Sequence, residues 1–210
     1  MRRTRVKICG ITTSEDARLA CLSGADSIGL NFFSKSKRKV SLCDAKKIAG
    51  LVPPFVSRVG LFVNPSAAYV KEVIESVPLD ILQFHGQESS DFCGAFGMPY
   101  IKALPALDPT QISGDATNFG SAAAILLDTS IDKKFGGTGV AFDWNIVPEL
   151  NQPIIIAGGL NSDNVCQAIS MTRPYAVDVS SGVEGNGKRK DYEMMKKFVF
   201  EVGKADRFLS

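Results

Sequence analysis

The chain has 210 residues, of which 45% are hydrophobic, and its 24 Lys and Arg against 22 Asp and Glu give a formal net charge of +2. This length suits one sizeable hydrophobic core and is short for two, so we expect a single domain over residues 1–210. The near-neutral balance argues against a nucleic-acid partner, because such partners usually require a strongly basic surface. Five scattered cysteines without a CxxC pair, and a single histidine, argue against a structural metal.

The N-terminal stretch MRRTRVKICG is basic but lacks the apolar run of a secretion signal, and no apolar run in the chain is long enough to span a membrane. An odd number of scattered cysteines suits a reducing compartment. We therefore expect a cytoplasmic protein with no membrane partner. The sequence leaves open whether it is a monomer or a homodimer.

Eight short apolar runs rich in β-branched residues recur about every 25 residues, roughly the length of a strand, a helix and two loops. Several are apolar at consecutive positions, as expected of parallel strands covered by helices. The runs are RVKIC (5–9), DSIGLNF (26–32), SRVGLFV (57–63), LDILQF (79–84), PYIKAL (99–104), AAILLD (123–128), PIIIAG (153–158) and YAVDVS (175–180). The alternation predicts an α/β protein, a (β/α)8 TIM barrel. A doubly wound open sheet is the alternative, disfavoured because CGITTSED stands where its GxGxxG signature would be.

Capping residues predict where the first helices begin and end. Thr13 with Asp16, and Ser41 with Asp44, have capping-box spacing, and Gly24 is placed to end the first helix. These patterns support helices after the first two strands.

The later helical segments give less uniform signals. Asn64 followed by Pro65 predicts the N-cap and first residue of the third helix. The polar, glycine-bearing segment DPTQISGDATNFGSA (108–122) predicts a short or irregular fifth helix. Phe142 and Trp144 are expected in the core of the sixth helix.

In a barrel of this kind the carboxyl ends of the strands form one mouth, and the active site lies there. The residues at those ends are mostly polar: Cys9, Asn31 to Phe33, Asn64, His85, Lys102, Asp128, Gly158 with Gly159, and Ser180 to Gly182.

The loops after the seventh and eighth strands predict a phosphate site. IIIAGGLNSDN ends a strand with Gly158 and Gly159 and predicts a helix from Asn161, and VDVSSGVEG ends the next strand with Ser180, Ser181 and Gly182. Glycines let backbone N–H groups approach an anion, and a helix N-terminus adds partial positive charge. The alternative is that Gly159 only allows a tight turn. A further glycine-rich segment, KKFGGTGVAFDW (133–144), suits either a mobile flap or an ordinary loop.

Five segments taken together resemble the phosphoribosylanthranilate isomerase family: KICGIT, QFHG, LLD followed by GGTGVAFDW, AGGLNSDNV and VDVSSGVE. They extend from Lys7 to Asp191. The resemblance implies a (β/α)8 barrel that converts N-(5-phosphoribosyl)anthranilate, a small phosphosugar, into 1-(2-carboxyphenylamino)-1-deoxyribulose 5-phosphate. It implies an Amadori rearrangement in tryptophan biosynthesis that needs no cofactor.

That reaction needs an acid to protonate the furanose ring oxygen and a base to remove the proton at the sugar C2′. The resemblance assigns the base to Cys9 and the acid to Asp128, as their positions also indicate. Thiols titrate near ~8.5 and carboxyls near ~3.9, so Cys9 must be partly thiolate and Asp128 must be held protonated. We expect a donor or cation beside Cys9, and Lys7 on the same strand face is one candidate. The alternatives are a small buried hydrophobe for Cys9 and a turn carboxylate for Asp128.

Three further residues are expected to bind substrate. Arg38, within the basic run SKSKRKVS, matches the arginine that the family places against the anthranilate carboxylate, although Lys37 stands where proline is usual. The alternative is that the run is solvated surface. His85 is expected to line the site rather than carry a proton. Asp178, in an apolar strand, requires a partner, which is the substrate by resemblance or Lys7 by position.

Two other functions fit a phosphate-binding barrel. One is a lyase or ring-closing synthase that uses Lys102, and the other is a non-catalytic sensor of a phosphometabolite. Acceptance of a related aminoimidazole sugar phosphate is left open.

Overall fold

A computed structural model of the chain describes residues 3–129, 141–185 and 189–209. Eight parallel strands close into a barrel in chain order, which confirms the predicted architecture over the open sheet. Each predicted apolar run overlaps one strand. The strands are β1 (Arg5–Cys9), β2 (Ser27–Asn31), β3 (Ser57–Phe62), β4 (Ile81–Phe84), β5 (Tyr100–Pro105), β6 (Ala124–Asp128), β7 (Ile154–Ile156) and β8 (Ala176–Val179).

Helices surround the barrel. The α-helices are α1 (Ser14–Leu22), α2 (Leu42–Gly50), α3 (Ala67–Ser76), α4 (Ser90–Gly94), α5 (Pro109–Thr117), α6 (Val165–Thr172) and α7 (Tyr192–Phe208), and short 3-10 helices cover Trp144–Ile146 and Ser181–Val183. Trp144 is buried as expected, but it lies on a 3-10 helix, and Phe142 lies outside any helix. Within the described parts of the chain, no helix is long and apolar enough to cross a membrane.

The first two predicted caps are confirmed. Thr13 accepts a hydrogen bond from the Asp16 backbone N–H, and Ser41 accepts one from the Asp44 N–H, each at 3.1 Å. Gly24 lies just past the end of α1 with a φ of 95°, a conformation that favours glycine.

The predicted start of the third helix is wrong by two residues. Helix α3 begins at Ala67, and Ser66 caps it by accepting from the Tyr69 N–H. Asn64 has a left-handed φ of 45°, and its side chain accepts instead from the Gln87 N–H at 2.7 Å. The side-chain amide of Asn64 therefore stabilises the loop after β4 and does not cap helix α3.

Two other helix predictions are also wrong. Helix α5 is a regular helix of nine residues, because Asp108 caps it with Pro109 in the first turn and it buries Ile112. Helix α6 begins at Val165 rather than Asn161, whose side chain accepts from the Asp163 N–H in a turn before the helix.

Side chains that alternate along the strands divide the core into two parts. Outward-facing residues such as Ile8 and Leu82 pack against the helices. The barrel interior is filled by Val59, Ile81, Ile101, Ala103, Ala124, Leu126, Ile155, Ala157 and Ala176. Nearer the carboxyl ends, several inward positions are polar, and these positions form the cavity described below.

Candidate active site

A cavity of about 580 Å³ opens at the carboxyl ends of the strands. All of the residues predicted for the isomerase site except Gly182 line it: Cys9, Arg38, His85, Asp128, Gly158, Gly159, Asp178, Ser180 and Ser181. Gly182 instead packs against the backbone carbonyl of Leu160, so its missing side chain lets the loops after β7 and β8 touch. Among the described residues, no group of three or more His, Cys, Asp or Glu side chains could hold a metal ion.

Cys9 ends β1 with its side chain inside the barrel, 6% exposed, on the same face as Lys7. The Lys7 ammonium lies 2.9 Å from a carboxylate oxygen of Asp178, its neighbour in register on β8. Its positive charge also acts on the thiol of Cys9, on the same face of β1. Asp178 therefore both lines the cavity and pairs with Lys7.

Burial and the charge of Lys7 have opposite effects on the pKa of Cys9. Burial raises the pKa of the Cys9 thiol, and the positive charge of Lys7 offsets only part of that rise. Burial alone would lower the pKa of Lys7, but the negative charges of Asp178 and Cys9 outweigh it and leave that pKa raised. Lys7 is thus a cation near the sulfur, and it is the candidate that the sequence offered for the group that Cys9 requires.

Gly29 pairs with Cys9 across β1 and β2, and its missing side chain leaves space for the side chains of Cys9 and Lys7. A Cβ at Gly29 would lie 2.7 Å from the Cys9 sulfur and 3.2 Å from the Lys7 nitrogen. Real side chains do not tolerate the first distance, so only glycine fits without a shift. The sequence analysis missed Gly29, for which a glycine inside an apolar strand was the available signal.

Asp128 ends β6 on a different side of the same cavity. Its Oδ2 lies 3.2 Å from Nε2 of His85, and the two side chains are 13% and 15% exposed. The other ring nitrogen of His85, Nδ1, lies 3.1 Å from the amide nitrogen of the fully buried Gln83. Gln83 was missed as well, although its position two residues before His85 puts both on one strand face.

Arg38 belongs to the cavity and not to a solvated run. Its Nε and Nη2 donate to the two carboxylate oxygens of Glu184, at 2.6 and 2.7 Å. Lys190 donates to the same carboxylate at 2.8 Å and to the Ser180 carbonyl at 2.9 Å. Burial would raise the pKa of Glu184, but the hydrogen bonds from Arg38 and Lys190 outweigh it and lower that pKa. Glu184 and Lys190 were not predicted.

The backbone conformation after β7 favours glycine at two positions, independently of phosphate binding. Gly158 and Gly159 have φ values of 78° and 63°, which favour glycine. A Cβ at Gly158 would lie 2.7 Å from the Thr129 backbone nitrogen and 2.8 Å from Oδ1 of Asp128. Gly158 therefore brings the end of β7 close to that of β6 while its backbone faces the cavity.

The placement of Lys102 at the site is wrong. Ile101 and Ala103 face the barrel interior, so Lys102 points outward, where its ammonium lies 2.7 Å from both Glu88 and the Gly86 carbonyl. Its side chain is 3% exposed. The predicted flap at 133–144 lies outside the described residues except for 141–144.

The closed barrel and its polar cavity at the carboxyl ends of the strands define a (β/α)8-barrel enzyme. The family model for N-(5'-phosphoribosyl)anthranilate (PRA) isomerase matches residues 6–201. The N-(5'-phosphoribosyl)anthranilate isomerase of Legionella pneumophila (strain Corby) is 50% identical over 198 residues, 94% of this chain and 96% of that protein. The chain belongs to the PRA isomerase family and is an isomerase of tryptophan biosynthesis.

Solved structures agree with this assignment. The phosphoribosyl anthranilate isomerase of Thermotoga maritima superimposes with a TM-score of 0.86 at 38% identity, covering 96% of this chain and 99% of that one. A phosphoribosyl anthranilate isomerase in complex with reduced 1-(o-carboxyphenylamino)-1-deoxyribulose 5-phosphate superimposes with a TM-score of 0.82, also at 38% identity and the same coverage.

Proposed function

We propose that Cys9 is the base and Asp128 the acid of the isomerisation. The observation that supports this most is their position: the two side chains come from β1 and β6 and line one cavity. A substrate between them would meet an acid on one side and a base on the other.

The chemistry then follows in two steps. Asp128 gives a proton to the furanose ring oxygen, and the bond from that oxygen to C1′ breaks, which leaves a protonated Schiff base at C1′ and the anthranilate nitrogen. Cys9, as thiolate, takes the proton from C2′. The electrons of that C–H bond form a C1′=C2′ double bond and neutralise the nitrogen, and the resulting enol tautomerises to the ketone.

Cys9 must lose its proton despite burial, and Lys7 is the group that favours this. A cation within hydrogen-bonding reach stabilises a thiolate. Because Lys7 is also paired with Asp178, it is held at the sulfur rather than free to turn away. Asp178 in turn is proposed to contact the sugar hydroxyls or the substrate nitrogen.

The remaining contacts are proposed from charge and geometry. Arg38 binds the anthranilate carboxylate through the part of its guanidinium that Glu184 leaves free, and His85 lines the pocket beside Asp128. The phosphate is bound by the loops after β7 and β8, through the backbone and hydroxyl groups of Gly158, Gly159, Ser180 and Ser181. Gly182 shapes the loop after β8 rather than lining the cavity. The product-like ligand of the solved relative carries both anionic groups.

Cys9→Ser and Asp128→Asn test these roles, in an assay that follows the loss of fluorescence of freshly prepared N-(5'-phosphoribosyl)anthranilate. Each variant should lose roughly 100- to 10,000-fold in kcat, the usual contribution of a positioned acid or base. Cys43→Ser, at an exposed cysteine, is the matched control and should keep full activity. Wild-type kcat in a folded Cys9→Ser variant would exclude the thiol as base.

We also propose that the enzyme works in the cytoplasm as a monomer or homodimer. Five cysteines that form no disulfide support a reducing compartment. Light scattering on the purified chain would distinguish the two oligomeric states.

A further inference from the structure

A chain of close polar contacts leads from the barrel interior to Asp128 at the cavity wall. The Gln83 amide nitrogen lies 3.1 Å from Nδ1 of His85, and Nε2 of His85 lies 3.2 Å from Oδ2 of Asp128. Gln83 is completely buried, so water does not compete for its amide. Both ring nitrogens of His85 therefore have a polar neighbour.

The chemistry of the groups determines where the hydrogens lie. An amide nitrogen only donates, so Nδ1 of His85 must accept and carry no hydrogen. A neutral imidazole then carries its hydrogen on Nε2, the nitrogen that lies 3.2 Å from Oδ2 of Asp128.

The opposite orientation of the Gln83 amide, with its carbonyl oxygen facing His85, predicts the other tautomer and can be tested. Its carbonyl oxygen is buried and has no hydrogen-bond partner within the described residues. Turning the amide over would place that oxygen at Nδ1 and demand a hydrogen there, leaving Nε2 as an acceptor. The orientation of one side chain thus selects the tautomer of the histidine.

We propose that Gln83 is a positioning residue that holds His85 as the Nε2–H tautomer, which commits Oδ2 of Asp128 to His85 and leaves Oδ1 to carry the transferred proton. The last part rests on the proposed role of Asp128 as acid. Oδ1 is the oxygen that lies beside Gly158 at the cavity wall. When Oδ1 gives its proton to the ring oxygen, the carboxylate that remains has the Nε2–H of His85 beside Oδ2.

The tautomer can be measured directly, because His85 is the only histidine in the chain. In a long-range ¹H–¹⁵N spectrum of the full chain labelled with ¹⁵N-histidine, the wild type should show Nε2 protonated and Nδ1 unprotonated at neutral pH. Gln83→Leu should give a mixture of tautomers, and Gln83→Glu, whose carboxylate accepts a hydrogen, should protonate Nδ1. A wild type protonated on Nδ1, or an unchanged spectrum in Gln83→Leu, would overturn the proposal.

Kinetics then test whether the tautomer matters to the reaction. Gln83→Leu should lower kcat by roughly tenfold with little change in KM, the effect of one lost hydrogen bond in the transition state. Thermal unfolding shows whether the variant is folded under assay conditions. A changed spectrum with wild-type kcat would refute the link to catalysis. If instead Asp128→Asn were fully active while the wild-type tautomer was as stated, the acid assignment would fail and the role of Gln83 in selecting the tautomer would stand.

Discussion

Arg38 and Glu184, 146 positions apart in the chain, are joined by two hydrogen bonds at the rim of the cavity. Arg38 donates to Glu184 through Nε and one N–H of Nη2. Glu184 therefore does not contact Nη1 or the second N–H of Nη2. A side chain as flexible as arginine is thereby held in one orientation before a substrate carboxylate arrives.

Glu184→Gln should therefore weaken substrate binding more than it slows the reaction. A neutral amide offers one acceptor in place of two charged oxygens, so Arg38 is held less firmly, and we expect KM to rise roughly tenfold with kcat changed little. Steady-state kinetics measure both constants. Glu193→Gln, at a side chain that is 77% exposed, is the control and should match the wild type. A large fall in kcat at constant KM would contradict the idea that Glu184 acts by orienting Arg38.

Lys7→Met should move the pH dependence of activity. Burial raises the pKa of Cys9 and Lys7 lowers it, so loss of the cation should raise that pKa further. Activity that requires the thiolate rises as the pH passes through this pKa, so the rise of kcat/KM should shift to higher pH, with a loss of roughly tenfold or more at pH 7. The measurement is kcat/KM against pH. The rate of Cys9 alkylation against pH, followed by mass spectrometry, is an independent readout.

The stability of that variant requires its own control, because Lys7→Met leaves the buried Asp178 without its partner. The double variant Lys7→Met with Asp178→Asn removes both charges and should show a smaller alkaline shift in Cys9 alkylation than Lys7→Met alone, because the charge of Asp178 raises the pKa of Cys9. Lys197→Met, at an exposed lysine, should leave the profile unchanged. Identical alkylation profiles in the wild type and both Lys7 variants would show that Lys7 does not tune the thiol.

The sequence predicted the barrel because each strand is a local signal: a run of β-branched residues before a capped helix. It predicted that Cys9 and Asp128 lie at one cavity, because strand ends converge in this fold. It could not predict Glu184 as the partner of Arg38, since that contact exists only after β8 returns beside β1. Lys102 was misplaced for a related reason. The alternation of β5 turns it away from the cavity, and a run of mixed residues does not show which face is inside.

Gly29→Ala should reduce catalysis without unfolding the protein. The added methyl group would lie 2.7 Å from the Cys9 sulfur, which must move away, and misplacing a reacting atom by about 1 Å can cost on the order of a hundredfold in rate. We expect kcat to fall to that extent. Gly114→Ala, where a Cβ meets no atom within 4 Å, is the matched control and should be fully active. A fully active Gly29→Ala enzyme would show that the position of the sulfur is not critical.

Lys102→Met should cost stability rather than activity. Lys102 and Glu88 are each 3% exposed and lie 2.7 Å apart, so removing the ammonium leaves a buried carboxylate without its cation. Breaking such a pair typically lowers the free energy of unfolding by about 3–5 kcal/mol, which urea denaturation would measure.

The double variant Lys102→Met with Glu88→Gln separates the two roles of this pair. Glutamine keeps an oxygen to accept from the Asn64 and Gly86 backbone N–H groups, which Glu88 now satisfies at 2.7 and 2.9 Å. Much of the lost stability should therefore return, because the buried charge is gone. Because Lys102 faces away from the cavity, kcat of the double variant should stay within about twofold of the wild type. A loss of a hundredfold in this folded variant would mean that Lys102 reaches the substrate after all and would reopen lysine chemistry for this barrel.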